Sequence, residues 1–188
     1  VNRAAVTLVG DARRILEVGS GTGLFSWTAA EDARRTLIAS EFNQGARAWA
    51  EAHRARPNVA YCDRPLSSFG ARGFDLVVAI EVIEHIYDTH QFLTQLIGKF
   101  TKRDKRGNCH VEPPTEFFIS SPNRAHPKIR KDRPENVFHV REWTGEEFLA
   151  LMQQYFERVE FMNQKGEEVA PTTAVDQVLL VKCIHPKI

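Results

Sequence analysis

Glu81, Glu84 and His85 are the side chains whose types and spacing could do chemistry. They lie at positions i, i+3 and i+4, directly after the apolar run Phe74–Ile80. If a helical turn begins at Glu81, all three side chains point to one face of that turn. His139 would join them from a segment that follows a later strand. Two carboxylates and two imidazoles could bind Mg²⁺, Mn²⁺, Fe²⁺ or Zn²⁺, so these four residues form a candidate metal site.

The same residues also have simpler interpretations. The helix dipole favours a carboxylate at a helix N-terminus, which would account for Glu84. His85 could be a hydrogen-bonding core residue or a general base, and His139 could simply hold its segment in place. All three are candidate catalytic residues. Without a metal, His85 is the first choice as general base and His139 is the second.

A glycine-rich loop lies earlier in the chain, where it can position a ligand beside this cluster. An apolar run at residues 15–18 is typical of a buried parallel strand. Gly19, Gly21 and Gly23 follow, and a helical pattern begins at Leu24. Glycines let the backbone approach a ligand closely, and the free N–H groups at a helix start favour anionic groups. The loop therefore predicts a nucleotide site.

The glycine spacing separates two kinds of nucleotide site. A dinucleotide fingerprint, G-x-G-x-x-G, needs its third glycine at position 24, where this chain has Leu24. A nicotinamide-dependent dehydrogenase is therefore disfavoured. A second apolar run, Leu37–Ala39, ends near Glu41, where a carboxylate can accept hydrogen bonds from both ribose hydroxyls. Phe42 could lie on the adenine face or be an ordinary core aromatic.

The pattern E-x-G-x-G-x-G, from Glu17 to Gly23, resembles motif I of class I S-adenosylmethionine (SAM)-dependent methyltransferases. The order of the predicted elements is similar to that family from residue 14 to residue 183. The resemblance implies SAM as cofactor. The residues it implies for SAM binding are Glu17, Gly19, Ser20, Gly21, Gly23, Glu41, Phe42, Asp63 and Glu81. Asp63 would meet the adenine amino group, although its position also suits a turn before Pro65.

Two segments resemble particular methyltransferase subgroups. FDLVVAIEVIEHI resembles the strand-four motif of ubiquinone-pathway O-methyltransferases and of small-RNA terminal 2′-O-methyltransferases. In the small-RNA enzymes, the positions matching Glu81, Glu84, His85 and His139 hold a divalent ion that engages vicinal hydroxyls of the acceptor. HVREWTGEEF, at residues 139–148, looks like a segment of bacterial methyltransferases associated with sugar and polysaccharide synthesis.

These resemblances imply a SAM-dependent O-methyltransferase, assisted by Mg²⁺ or another divalent cation. The expected acceptor is a hydroxyl of a sugar or glycan intermediate. The alternatives are a terminal ribose of RNA and, third, a quinone precursor. An inactive SAM-binding partner subunit is an alternative of another class, and the reactive groups that follow strand four speak against it.

The segment 124–140 should lie over the active site because it leaves the carboxyl end of a parallel strand. Its first part, residues 124–133, is rich in basic residues against the single acid Asp132: Arg124, His126, Lys128, Arg130, Lys131 and Arg133. Such a charge run is commonly a solvated face. Its place at the acceptor entrance also predicts an anionic acceptor, such as a nucleotide-linked sugar, a phosphorylated glycan or an RNA end.

Composition narrows the setting of the protein. The chain has 188 residues, 43% hydrophobic content and a net charge of +1, which fits a single globular domain over residues 1–188. Three widely spaced cysteines argue against a disulfide framework and favour the cytoplasm. No membrane span or signal peptide is expected. Because the chain begins at Val1, an N-terminal segment could be missing. The oligomeric state is not predicted.

Alternating strand and helix patterns predict an α/β fold: a Rossmann-like, doubly wound sheet of seven strands, mostly parallel with an antiparallel C-terminal edge pair. The strands are predicted near residues 15–18, 36–41, 59–62, 74–80, 117–120, 156–161 and 178–183. The helices are predicted from Leu24 to about Arg35, from Gln44 to Arg56, from Asp88 or Thr89 to Phe100, and from Thr144 to about Tyr155. Thr144 and Glu147 match a capping box.

Overall fold

The computed structural model describes residues 2–69, 73–100, 102–103, 109–110, 115–128, 134, 136–163, 165–171 and 177–187. The helices are α1 Asn2–Leu8, α2 Leu24–Ala29, α3 Gln44–His53, α4 Thr89–Phe100 and α5 Gly145–Met152. The strands are β1 Arg14–Val18, β2 Thr36–Ser40, β3 Val59–Cys62, β4 Leu76–Ala79, β5 Lys102–Arg103, β6 Cys109–His110, β7 Glu116–Pro122, β8 Phe156–Met162, β9 Glu168–Val169 and β10 Val178–Pro186.

Eight of these strands form one sheet, in the order β3-β2-β1-β4-β7-β10-β8-β9. The first five run parallel, whereas β10 pairs antiparallel with both β7 and β8. The predicted doubly wound sheet is confirmed, with one strand more than predicted. The additional strand is β9, which pairs with β8 after a tight turn at Gly166, where φ is 82°. The Asn163 side chain holds that turn by accepting from the N–H groups of Lys165 and Glu167.

The sheet separates two buried clusters, because successive strand residues point to opposite faces. On β4, Val77 and Ala79 belong to the cluster that contains Leu93 of α4. Leu76 and Val78 face the other cluster, which includes residues of α1 and α2. All four β4 residues are therefore buried, and this explains why the run is apolar throughout.

Three helices end earlier than predicted. The helix α5 ends at Met152 rather than at about Tyr155, and side chains from outside the helix or a following proline account for the early ends of α2 and α3. The helix α2 ends at Ala29, whose carbonyl accepts from the Arg35 guanidinium, while the Ala30 carbonyl accepts from the Asn58 amide. The predicted end near Arg35 is therefore wrong. The helix α3 ends at His53 rather than at Arg56, since the residue preceding Pro57 is disfavoured in helical conformation.

All four predicted helix starts agree with the structure to within one residue, and two of them have the predicted capping side chains. The side chain of Asp88 accepts from the N–H of Gln91 at 2.8 Å at the start of α4. At the start of α5, Thr144 and Glu147 form the predicted capping box in both directions. Because β1, β2, β3, β4 and β7 run parallel, their carboxyl ends lie along one edge of the sheet. The candidate site lies at that edge.

Candidate active site

The glycine loop after β1 adopts backbone conformations that favour glycine at three positions. The φ angles are 67° at Gly19, 52° at Gly21 and 74° at Gly23. A Cβ atom at Gly19 would lie 2.6 Å from the Val82 side chain, and one at Gly23 would lie 2.6 Å from the Tyr61 ring. A Cβ atom at Gly21 would meet nothing within 4 Å. Gly19 and Gly23 are therefore needed for close packing, whereas Gly21 borders open space in which a ligand can lie.

Glu41, which follows β2, connects the end of that strand to the glycine loop by hydrogen bonds. Its carboxylate accepts from the N–H of Gly21 at 2.7 Å and from the N–H of Asn43 at 2.7 Å. Ser20 is buried, and its hydroxyl has no hydrogen-bond partner among the described residues. The Glu41 carboxylate therefore lies beside the open space at Gly21, and the loop also contains the unpartnered Ser20 hydroxyl. A carboxylate is a suitable partner for the hydroxyl groups of a nucleoside-type ligand.

The other predicted SAM contacts from β1, β2 and β3 differ in their exposure. Phe42 follows β2 with 69% of its surface exposed, and Asp63 follows β3 and lies 3.3 Å from a guanidinium nitrogen of Arg47. Glu17 is buried, and its carboxylate accepts from both the N–H and the hydroxyl of Ser26 in α2. Burial raises the pKa of Glu17 to about 7. Its carboxylate thus supports the start of α2, and a contact of Glu17 with SAM stays a prediction.

Glu81 begins the candidate metal segment in a conformation that the sequence did not predict. Its φ is 56°, in the left-handed region, so no helical turn begins there. A single 3₁₀ turn forms instead at Ile83–His85. The expectation that Glu81, Glu84 and His85 share one helical face is therefore wrong. The Glu81 side chain turns to β7, where the Ser120 hydroxyl donates to its carboxylate at 2.8 Å.

Three of the four predicted metal ligands come together. One ligand atom each from Glu84, His85 and His139 lies within 4.8 Å of the other two. Glu81 lies outside this group, because Ser120 holds its carboxylate. Its charge still contributes to the raised pKa of Glu84, while burial raises the pKa of Glu81 itself against the opposing effects of the Ser120 hydrogen bond and of the nearby His139. Glu81 therefore lies beside the cluster.

Glu84 is the most unusual group of the site. It is fully buried, and neither carboxylate oxygen has a hydrogen-bond partner among the described residues. Burial raises the pKa of Glu84 to about 8, and the charges of Glu81 and Glu142 contribute to the rise. Its backbone carbonyl accepts from the Val140 N–H at 2.7 Å. A buried carboxylate without partners is costly unless a proton or a cation neutralises it.

Hydrogen bonds fix the orientation of both imidazoles. The Nδ1 of His85 lies 3.0 Å from the carbonyl oxygen of Phe138, so Nδ1 carries the proton and Nε2 keeps its lone pair. The Nδ1 of His139 lies 2.7 Å from the carboxylate of Glu142. Asn136 accepts from the Phe138 N–H and therefore turns its NH₂ group to the Nε2 of His139, at 2.9 Å. Both histidines thus direct Nε2 lone pairs away from their Nδ1 partners.

Sequence reasoning missed three residues that organise this cluster. Ser120 holds Glu81, Glu142 holds His139, and Asn136 caps the Nε2 of His139. Glu142 lies within the segment HVREWTGEEF, but nothing in that segment marks it as the partner of His139, and Ser120 contacts Glu81 from another strand. Their positions in the sequence were the available indication. Ser120 ends the apolar part of a predicted central strand, and Asn136 and Glu142 lie three residues before and three residues after His139.

Part of the predicted basic segment can be described. Arg124 pairs with Glu147 through two contacts, at 2.5 and 2.6 Å, and Lys128 is exposed. A cleft of about 710 Å³ lies between this segment and α5, with Arg124, Arg141 and Leu151 in its lining. Arg130, Lys131 and Arg133 lie outside the described residues.

Comparison with known proteins agrees with this geometry. Residues 16–98 match the family described as Methyltransferase domain. A probable S-adenosylmethionine-dependent methyltransferase of Mycolicibacterium smegmatis is 28% identical over 141 residues, which cover 75% of this chain and 50% of that protein. A protein of Mycobacterium tuberculosis with the same description is 29% identical, and the match covers 47% of its length. The chain therefore spans about half the length of the curated relatives it matches.

Solved structures share the fold at low sequence identity. The methyltransferase domain of bacterial CtHen1-C has a TM-score of 0.70 at 17% identity, covering 99% of this chain and 97% of that one. The sheet order, the glycine loop and these likenesses make the chain similar to class I SAM-dependent methyltransferases. Two structures of the same fold, the plantazolicin methyltransferase BpumL and human N-acetylserotonin methyltransferase, were solved in complex with SAH and with SAM, respectively. Within the described ranges, every helix falls short of the length and apolarity needed to cross a membrane.

Proposed function

We propose that the chain transfers the methyl group of SAM to a hydroxyl of a sugar or glycan intermediate, with a divalent cation held beside the acceptor. The observation that carries this proposal is the Glu84 carboxylate, buried and without a hydrogen-bond partner among the described residues. The proposed ligands are Glu84, His85 and His139, with Glu81 as the fourth. The proposed SAM contacts are the glycine loop with Ser20, and also Glu17, Glu41, Phe42, Asp63 and Glu81.

The residues present fit a divalent cation. A carboxylate and two imidazole lone pairs suit ions from Mg²⁺ and Mn²⁺ to Fe²⁺ and Zn²⁺. A cation would offset the repulsion that Glu81 and Glu142 exert on ionised Glu84. Binding through the Nε2 of His139 requires Asn136 to release that nitrogen. When bound, a divalent cation supplies Lewis acidity, which lowers the pKa of an acceptor hydroxyl and orients its oxygen.

The remaining tasks belong to the side chains of this protein. Glu142 fixes the ring of His139 through Nδ1, so that Nε2 is the nitrogen offered to the site. The Phe138 carbonyl does the same for His85. If no cation is bound, the Nε2 of His85 is our first choice to accept the hydroxyl proton, and His139 is the second. Positioning the hydroxyl and the methyl carbon in line can supply ~7–11 kcal/mol of barrier lowering.

Two exposed aromatic side chains support a ring-containing acceptor. Tyr87 is 91% exposed and lies two residues after His85, while Phe138 is 75% exposed and precedes His139. Aromatic faces pack against the apolar C–H face of a sugar ring and also stack on nucleobases. The same observation favours the second candidate, a terminal ribose of RNA. A quinone precursor ranks third.

A screen with radiolabelled SAM tests the proposal. The acceptors are oligosaccharides, RNA oligonucleotides ending in a 2′,3′-diol, matched 2′-deoxy ends and catechols, each with Mg²⁺, Mn²⁺ or excess EDTA. We expect incorporation into a sugar hydroxyl, and we expect EDTA to abolish it without releasing SAM. Full activity in EDTA would contradict the proposed assistance by a cation, and His85 would then be the proposed general base. No turnover on any acceptor would favour the inactive partner subunit.

Variants localise the requirement for the cation. Glu84→Gln keeps the shape of the side chain but removes the ligand charge, so it should reduce turnover as EDTA does. Glu157→Gln, at an exposed position on β8, is the matched control and should leave turnover unchanged. Equal activity of both variants would contradict a role for Glu84.

The basic segment supports an anionic acceptor, which is a finer part of the proposal. Neutralising Arg130, Lys131 and Arg133 together should raise the acceptor KM and flatten its salt dependence, while SAM affinity stays constant. If the triple variant has the same acceptor KM as the parent at all salt concentrations, the segment is a solvated charged surface and does not recognise the acceptor. A cytoplasmic setting also remains a prediction.

A further inference from the structure

Ser120 and Glu81 are joined by two reciprocal hydrogen bonds. The Glu81 N–H donates to the Ser120 hydroxyl oxygen at 3.0 Å, and the same hydroxyl donates to the Glu81 carboxylate at 2.8 Å. Ser120 is fully buried in the carboxyl half of β7, and Glu81 lies two residues after Ala79, the last residue of β4. One side chain on a neighbouring strand thus satisfies both the backbone and the carboxylate of Glu81.

The backbone at Glu81 needs such a partner. Its φ of 56° is uncommon for a residue other than glycine, and such conformations persist when the surrounding structure fixes them. The neighbouring Ser121 offers an internal comparison. It is equally buried on the same strand, yet its hydroxyl has no hydrogen-bond partner among the described residues. The contact with Glu81 is therefore specific to Ser120.

We propose that Ser120 is the positioning residue for Glu81: it holds one carboxylate oxygen, and the other oxygen remains available to a cation bound by Glu84, His85 and His139. This inference rests on the proposed function. The arrangement leaves Glu81 outside the tight group of three ligand atoms but close enough for charge interaction with Glu84 and His139. Ser120 itself touches no ligand atom of that group in any described contact.

Calorimetric titration of the full chain with Mn²⁺ alone tests the proposal. Ser120→Ala should raise the Mn²⁺ dissociation constant by about 10- to 100-fold, which is the usual loss of metal affinity when a residue that orients a metal ligand is removed. Ser121→Ala removes the same atoms from the same strand and should leave that constant unchanged. Ser120→Cys keeps nearly the same volume with a weaker donor, so it should also weaken binding if Ser120→Ala does not fold.

A double-mutant cycle shows whether Ser120 acts through Glu81. In a Glu81→Ala background, Ser120→Ala should cause no further loss of Mn²⁺ affinity. A further loss there would overturn the positioning role, and so would equal Mn²⁺ affinities for Ser120→Ala, Ser121→Ala and the parent. Absence of Mn²⁺ binding by the parent itself would instead overturn the proposed metal assistance.

Discussion

The three loop glycines serve different purposes although they share one motif. Gly19 and Gly23 have no room for a side chain, because Val82 and Tyr61 occupy the space where Cβ would lie. Gly21 has that room and still adopts a positive φ. Gly19 and Gly23 are therefore required by packing within the protein. We expect Gly21 to be required where the loop meets a ligand.

Alanine substitutions should separate these roles. Gly23→Ala should lower the free energy of unfolding by about 2–4 kcal/mol, because the backbone strain and the clash with Tyr61 add. Gly21→Ala should cost only about 1–2 kcal/mol of stability, from the left-handed backbone alone. It should nevertheless weaken SAM binding at least about tenfold, or ~1.4 kcal/mol. Urea unfolding and calorimetric SAM titration measure the two effects, and unchanged SAM affinity for Gly21→Ala would contradict the assignment of the loop.

Glu17 should make stability depend on pH. Its pKa rises from 4.5 in the unfolded chain to about 7 in the folded one, so the folded state retains the proton in between. The stabilisation is complete below pH 4.5 and is lost as the pH rises through about 7. The loss amounts to roughly 3 kcal/mol. Urea unfolding at pH 5 and pH 8 should show a smaller pH difference for Glu17→Gln than for the parent.

The residues of the cluster were only partly predictable. Glu84 and His85 are adjacent in sequence after a strand end, so their shared location followed from parallel-sheet geometry. The displacement of Glu81 depends on a left-handed φ and on a hydroxyl from β7, 39 residues away. Periodicity in the sequence carries no information about such a long-range partner. The same holds for the side-chain bonds that orient His139.

At the scale of elements, the boundaries depended on contacts that sequence patterns do not contain. The start of α5 was predictable, because Thr144 and Glu147 interact within one turn. The end of α2 was not, because Asn58 caps its carbonyl from a position 28 residues later. The strands β1 and β4 were predictable since both faces are buried and the runs are apolar. The two-residue strand β9 is too short to produce a pattern.

The capping box of α5 should contribute measurably to stability. Thr144→Ala removes the hydroxyl that accepts from the Glu147 N–H at 3.2 Å, and it should lower the free energy of unfolding by about 1 kcal/mol. Thr94→Ala, at an exposed interior position of α4, is a matched control and should be neutral or slightly stabilising. Urea denaturation measures both variants, and equal effects would argue against the cap.

For the whole molecule, amide hydrogen exchange should be slowest at the centre of the sheet and fastest at its ends. The strand β4 is buried at every residue, whereas β3 contains no buried residue and β9 has none either. Exchange at β4 should therefore require nearly global unfolding, while β3 and β9 exchange through local opening. Mass-spectrometric exchange measures this order.

Adding SAM in the same experiment provides a second comparison. Exchange should slow at the glycine loop and at the residues that follow β2, and it should stay constant at β9, which lies at the opposite end of the sheet. Equal slowing at β9 would indicate general stabilisation by mass action rather than a local site.

The position of β10 has a consequence for biosynthesis. This strand covers the free edges of both β7 and β8, although it follows both in sequence. Until β10 has left the ribosome, β7 keeps an unpaired edge, and so does β8 once it has emerged. Unpaired edges invite pairing with other chains. The interval before β10 emerges is therefore when these two edges are most open to pairing with other chains.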